Sequence, residues 1–196
     1  MQNKTSLITL LLKMKDKRKA SGKRHQFIHI LLIIIMGTMS GYEGYRGLEC
    51  FTIRYNKELI KVLGINRKQT PSMSTIRRVI MNIDFNRLSQ LMYQWTRQRV
   101  AIRKGEWIAC DGKGIRGSIT ECSSKYQNFV NIVSIYCTKA GVVLSMMAVN
   151  NKDTNEITAL RKILEALELE GLVITADAIH CQKKLFHSSV VKEGIT

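Results

Sequence analysis

The sequence has no CxxC pair, no apolar run of bilayer length, no glycine-rich phosphate loop and few acids in its first half. Its five cysteines (Cys50, Cys110, Cys122, Cys137, Cys181) are odd in number and widely spaced. That argues against a disulfide scaffold or zinc knuckle and for a reducing cytoplasm. The most apolar stretch, FIHILLIIIM from Phe27 to Met36, falls short of the ~20 residues a span needs, so no membrane is expected. A secretory signal is the rival reading, because KRKASGKRHQ precedes the stretch and GTMSG follows it. The 26 residues ahead would be a long n-region, and the stretch reads as a buried helix. No GxxxxGK[ST] segment is present, which counts against an ATP-dependent role. The lone proline, Pro71, marks the turn before a short helix.

What is abundant is positive charge. The 196 residues carry 31 Lys+Arg against 15 Asp+Glu, a formal net charge of +16. A 45% hydrophobic composition excludes wholesale disorder and suffices for a real core. Residues 1–105 hold 21 Lys+Arg and 5 Asp+Glu, whereas residues 106–196 hold 10 of each. The whole excess therefore lies in the first half, as expected for a polyanion-binding module beside a separate one. Nucleic acid is the commonest such polyanion, because Lys and Arg at phosphate release condensed counterions.

Periodicity divides the chain in three. Residues 1–24 read as a basic arm, or simply a solvated connector, with Lys23 and Arg24 at the end of KMKDKRKASGKR. Residues 25–104 read as a helical, basic domain. Leu88, Leu91, Met92 and Trp95 fall on one helical face, and Ser74 is the expected N-cap of TIRRVIM, which carries Arg77 and Arg78. Residues 105–196 change texture. WIACDGK (Trp107 to Lys113) reads as a short strand ending in a polar turn, and NFVNIVSIYC as a second strand. Lys139-Ala140-Gly141 then turns into VVLSMMAV. A helix follows with Ile157, Leu160, Ile163, Leu164 and Leu167 on one face, Asp153 and Glu156 at capping-box spacing, and Gly171 at its close. LVITADA is the fourth strand. The fold class is α+β: helices, then strand-strand-strand-helix-strand.

A right-handed helical crossover sets the fourth strand parallel to and beside the first. Asp111 and Asp177 then sit at the carboxyl ends of neighbouring strands about 4.8 Å apart, close enough to share a point. Two such carboxylates repel, and a divalent cation that prefers oxygen ligands resolves the repulsion. Beside a basic domain, this suggests cutting or joining a phosphodiester by two-metal chemistry. A common Asp-Gly turn is the plain alternative.

The motifs RHQFIHILLIIIMGTMSGYEGYRGLECF, PSMSTIRRVI, WIACDGKGIRGS, NKDTNEITAL and VITADAIHCQK occur in this order. Together they closely resemble the H-repeat-associated (ISAs-type insertion sequence) transposases of the DDE type, from about His25 to Lys184. The resemblance implies a helical transposase-associated domain before an RNase H-like catalytic domain. It implies that Asp111 and Asp177 are the first two acids of the DDE triad, binding Mg²⁺ or Mn²⁺ for strand cleavage and transfer at transposon ends. The implied partner is DNA, with self-association on it, and the implied location is the bacterial cytoplasm at the nucleoid. Lys113 and Arg116 are placed to touch DNA phosphate. Glu156 is an accessory candidate whose plainer role is the helix cap. His180 and Cys181 lack a complementary thiolate pair and read as packing or turn residues.

One departure stands out. The triad's third acid is missing: only Glu193 follows in the 19 residues after Asp177, with no long helix around it. The expectation is a C-terminally truncated transposase with an incomplete RNase H-like sheet, unable to transpose by itself. The alternative is a DNA- or transposase-binding remnant without catalysis.

Overall fold

A computed structural model describes residues 4–101, 103–120, 128–150, 156–166 and 171–176. These form two compact units, residues 6–84 and residues 4–5 with 85–176.

The first unit is helical: α1 (Leu7–Leu11), α2 (Phe27–Met39), α3 (Gly44–Arg54), α4 (Asn56–Leu63) and α5 (Met73–Asn82). The apolar run is α2, with Ile30, Leu31 and Ile33 buried, and α2 and α3 meet at 101°. No single helix among the described residues is long and apolar enough to cross a membrane. Gly37 makes the α2–α3 approach possible, because a Cβ there would lie 2.7 Å from Leu48 Cδ2 and 3.1 Å from Phe51 Cδ1. Phe51 in turn stacks at a tilt on Tyr42 and Tyr55, centroids 5.3 and 5.2 Å apart, over Ile33, Leu59 and Ile65. Each such fully buried side chain contributes about 1.5–3 kcal/mol.

Among the described residues, parts of the segment before residue 25 are packed. Ser6 caps α1, Leu10, Leu11 and Met14 are buried, and Asp16 gathers the following loop. The Arg18 guanidinium donates Nε and Nη2 to Asp16 at 3.0 Å each and Nη2 to the His25 carbonyl at 2.9 Å. Burial raises the Asp16 carboxyl, but the hydrogen bonds from Arg18 and the nearby Arg18 and Lys23 charges outweigh it and hold the group below its usual range. The N-cap of α5 is Ser72 rather than Ser74: with Pro71 buried behind it, Ser72 is extended and the helix begins at Met73.

The second unit holds α6 (Phe85–Arg97), β1 (Trp107–Thr120), β2 (Asn128–Cys137), β3 (Val142–Asn150), α7 (Glu156–Ala166) and β4 (Val173–Ala176). The strands lie in the order β3-β2-β1-β4. The first three are antiparallel neighbours, and β4 runs parallel to β1 from Trp107↔Val173 to Cys110↔Ala176. This is the α+β arrangement expected of a partial RNase H-like domain after helices. Gly141, at φ +67°, turns β2 into β3 and donates its amide to the Cys137 carbonyl at 2.9 Å. Alternation sends Ile108, Cys110, Val133, Ile135 and Cys137 to one face, where Leu160, Ile163 and Leu164 of α7 cover them.

The helix α6 packs along β3. The Ser89 hydroxyl donates to the Met146 carbonyl and accepts the Met146 amide at 3.1 Å, and Asn86 Oδ1 accepts the Ala148 amide at 3.3 Å. Three polar groups on the outer edge of β3 are thereby satisfied, which closes that edge to further strands.

Candidate functional site

Asp111 lies in β1 opposite Ser134, one residue beyond the last described pairing of β1 with β4. The expected polar turn after it is absent. The strand is 14 residues long and runs on through Thr120, so Asp111 sits within β1 and not at its carboxyl end. Pairing with β2 overrides the turn preference of DGKG. Asp111↔Ser134, Gly112↔Val133, Lys113↔Ile132 and Gly114↔Asn131 continue the ladder, and the Ser134 hydroxyl approaches the Asp111 carbonyl at 3.4 Å.

Strand alternation assigns the faces. Cys110 points into the α7-covered core, where burial pushes its thiol up to about 11 and keeps it protonated and inert. Asp111 points the other way and is exposed, with no ion-pair partner among the described residues. Lys113, two residues and about 7 Å further along, shares its face and is exposed. That face is apolar and open among the described residues: Trp107 is 57% exposed, with Ile115, Tyr136, Val143 and Val173 exposed beside it. A cavity of about 760 Å³ lies on it, lined by Asp111 and Lys113 together with Ile115, Ile132, Val143 and Met146.

The other predicted residues fall less neatly. Asp177, His180 and Cys181 lie outside the described residues, as does Asp153. Glu156 opens α7 and Arg116 belongs to β1, but their side chains are also outside the description. In the helical unit Lys23, Arg24, Arg77 and Arg78 are exposed. They do not form one group: Lys23 reaches Asp16 at 3.7 Å, Arg77 stands 5.9 Å from the Tyr45 ring centre, and Arg78 faces residues 17–19. Lys17 and Lys19 are the cations that went unremarked. The signal for them was the density of the basic run, but which of its residues face outward depends on Asp16.

The donors on the sheet's open face suit a hard cation, since Asp111 offers carboxylate oxygens and the one nearby thiol faces away. Among the described residues no cluster of three His, Cys, Asp or Glu is gathered.

Comparison with known proteins places both halves. The DDE_Tnp_1-associated family matches residues 8–96 and the Transposase DDE domain family matches residues 103–195. The "Putative transposase YncI" of Escherichia coli K12 is 32% identical over 180 residues, covering 92% of this chain and 71% of that protein. The "H repeat-associated putative transposase YhhI" of the same strain is 29% identical over 179 residues, covering 91% of this chain and 46% of that protein. A YncI protein of Escherichia coli O157:H7 is 32% identical and covered over 45% of its length, so the chain spans about half the length of these last two relatives.

Proposed function

The chain belongs to the DDE transposases of the H repeat-associated type, and from that premise we propose that it contributes to cleavage and strand transfer at transposon ends by divalent-metal phosphoryl transfer. The observation that carries the proposal is the exposed Asp111, without an ion-pair partner among the described residues, beside the parallel β1–β4 pair. The segment VITAD ends its described part at Ala176, and Asp177 is the next residue in the chain.

In this reading Asp111 and Asp177 hold Mg²⁺ or Mn²⁺ through carboxylate oxygens. Such a cation supplies charge stabilisation at the attacking and leaving oxygens of a phosphodiester. Lys113, on the face of Asp111, binds the neighbouring phosphate and orients the scissile bond, with Arg116 extending the contact. Glu156 serves the start of α7 and acts as an accessory acid. The cations of the helical unit, including Lys23, Arg24, Arg77 and Arg78, hold DNA. The protein works in the bacterial cytoplasm at the nucleoid, as a multimer on DNA.

Asp111 and Asp177 are expected to bind the metal and the basic half to bind DNA. The second reading, a DNA- or transposase-binding protein without catalysis, is favoured by the concentration of cations in the first half. Titration with Mn²⁺ decides between them. Saturable binding in the wild type, lost in both Asp111→Asn and Asp177→Asn, is the expected result. Equal behaviour of all three chains would sink the metal site and leave salt-sensitive DNA binding as the whole activity.

A further inference from the structure

We propose that a cavity in the helical unit is a seat for a phosphate of the DNA backbone, separate from the sheet and its acids. The cavity, of about 300 Å³, lies between the loop that follows α1 and one face of α5. The loop contributes Lys17, Arg18, Lys19 and Ser21, and α5 contributes Thr75, Arg78 and Asn82, at i, i+3 and i+7. Lys17, Lys19 and Arg78, with the Asp16-paired Arg18 and three neutral hydrogen-bonding side chains, thus line one space, and no carboxylate lines it among the described residues.

The arrangement is built rather than incidental. Arg18 is the strut: its fork is committed to Asp16 and the His25 carbonyl, and its side chain is only 9% exposed. Fixing Arg18 inward leaves its neighbours Lys17 and Lys19 exposed. From the other wall, Arg78 donates Nε to the Ser74 carbonyl at 3.0 Å, which orients its guanidinium and leaves the terminal nitrogens for an anion. Asn82 donates Nδ2 to the Arg78 carbonyl at 2.8 Å, so its Oδ1 is not needed to hold the helix. Hydroxyls and cations converging without an acid suit a phosphate oxygen. They carry no base-reading geometry, so the contact positions DNA without selecting sequence.

The inference rests on the reading that this chain handles DNA, but its test is independent of the metal site. Binding of the full chain to labelled duplexes of two unrelated sequences is followed by anisotropy over a salt series. Lys17→Ala with Lys19→Ala is expected to weaken both duplexes by the same factor, about tenfold. The slope of log affinity on log salt should fall by more than 1. Arg78→Gln should lower that slope by about 1. Lys57→Ala with Lys61→Ala on α4 removes equal charge outside the cavity and should change the slope less. Equal effects from that control pair, or unchanged slopes in the cavity variants, would overturn the seat. Stabilisation by inorganic phosphate that depends on Lys17, Lys19 and Arg78, with duplex affinity blind to them, would assign the cavity to a free anion and also overturn it. The Mn²⁺ titration uses no duplex, so failure of either proposal leaves the other readable.

Discussion

The two units of this chain solve opposite electrostatic problems. Residues 6–84 carry far more cations than acids, and their few carboxylates act as organisers: one aspartate, Asp16, holds Arg18 and Lys23 and so decides which basic side chains face water. The sheet unit presents Asp111 exposed on an apolar sheet face, while Ile108, Cys110, Val133, Ile135 and Cys137 face α7. The contrast teaches that charge in the first unit is dense and sorted by one acid, whereas in the second a carboxylate and a lysine stand on an otherwise apolar sheet face. The cores differ in the same way. Helical spacing stacks Ile33, Phe51, Leu59 and Ile65 in the first, and strand alternation stacks Ile108, Val133 and Ile135 in the second.

The sharpest way to break the contrast is to damage one core and read the other. Ile135 is fully buried at the centre of β2, and Ile135→Ala leaves a cavity costing about 2–5 kcal/mol. Both tryptophans, Trp95 and Trp107, belong to the sheet unit, so denaturant titration followed by tryptophan fluorescence should show the full loss. An unshifted fluorescence midpoint would mean that α7 does not close this core. The matching experiment in the helical unit is Gly37→Val. Its Cβ would stand 2.7 Å from Leu48 Cδ2, and pushing α3 away costs about 1–3 kcal/mol. Far-UV circular dichroism should lose stability while tryptophan fluorescence holds; a stabilised variant would show that α2 and α3 do not pack through Gly37.

How much of this was legible beforehand depends on whether a signal was local. The hairpin at Lys139-Ala140-Gly141, the apolar face of α7 and the position of β4 beside β1 all followed from alternation, a turn glycine and crossover rules. The extension of β1 through DGKGIRGS did not, because glycines and charges in that stretch mimic a turn, and only pairing with β2 makes it a strand. The contact of α6 with the sheet was not legible either, because helical spacing marks an apolar face but not the Ser89 hydroxyl that bonds Met146 of β3. Asp16 was counted as one acid in a basic run. Its bidentate bond to Arg18, which gives the loop its shape, has no signature in composition.

The edge of β3 offers a smaller and more local test. Ser89→Ala removes the hydroxyl that serves both the amide and the carbonyl of Met146, leaving two backbone groups without their partner. The expected cost is about 1–3 kcal/mol, confined to the sheet unit, with faster hydrogen exchange at the Met146 amide and an increased tendency to associate through that edge. Unchanged exchange at Met146 would mean that α6 is not what protects β3.

The smallest expected effect is that of pH, and it divides the units again. Both described histidines, His25 and His29, lie in the helical unit. Burial lowers the His25 pKa from 6.5, the positive charges of Arg67, Arg18 and His29 lower it further, and its Nδ1 is buried with no hydrogen-bond partner among the described residues. Burial lowers that of His29 as well. A folded state with a depressed histidine pKa holds fewer protons than the unfolded chain at mildly acidic pH. The contribution is therefore fully present above pH 6.5 and shrinks as pH falls towards the folded-state value. Asp16 works in a separate window, since its lowered pKa matters only near pH 4 and below. Thermal melting by circular dichroism at pH 7.5 and pH 5.5 should thus show the helical unit weakening at the lower pH, with His25→Gln reducing the difference. A difference of the same size in His25→Gln would locate the proton uptake elsewhere, and an opposite sign would mean that His25 gains an acidic partner in the folded chain.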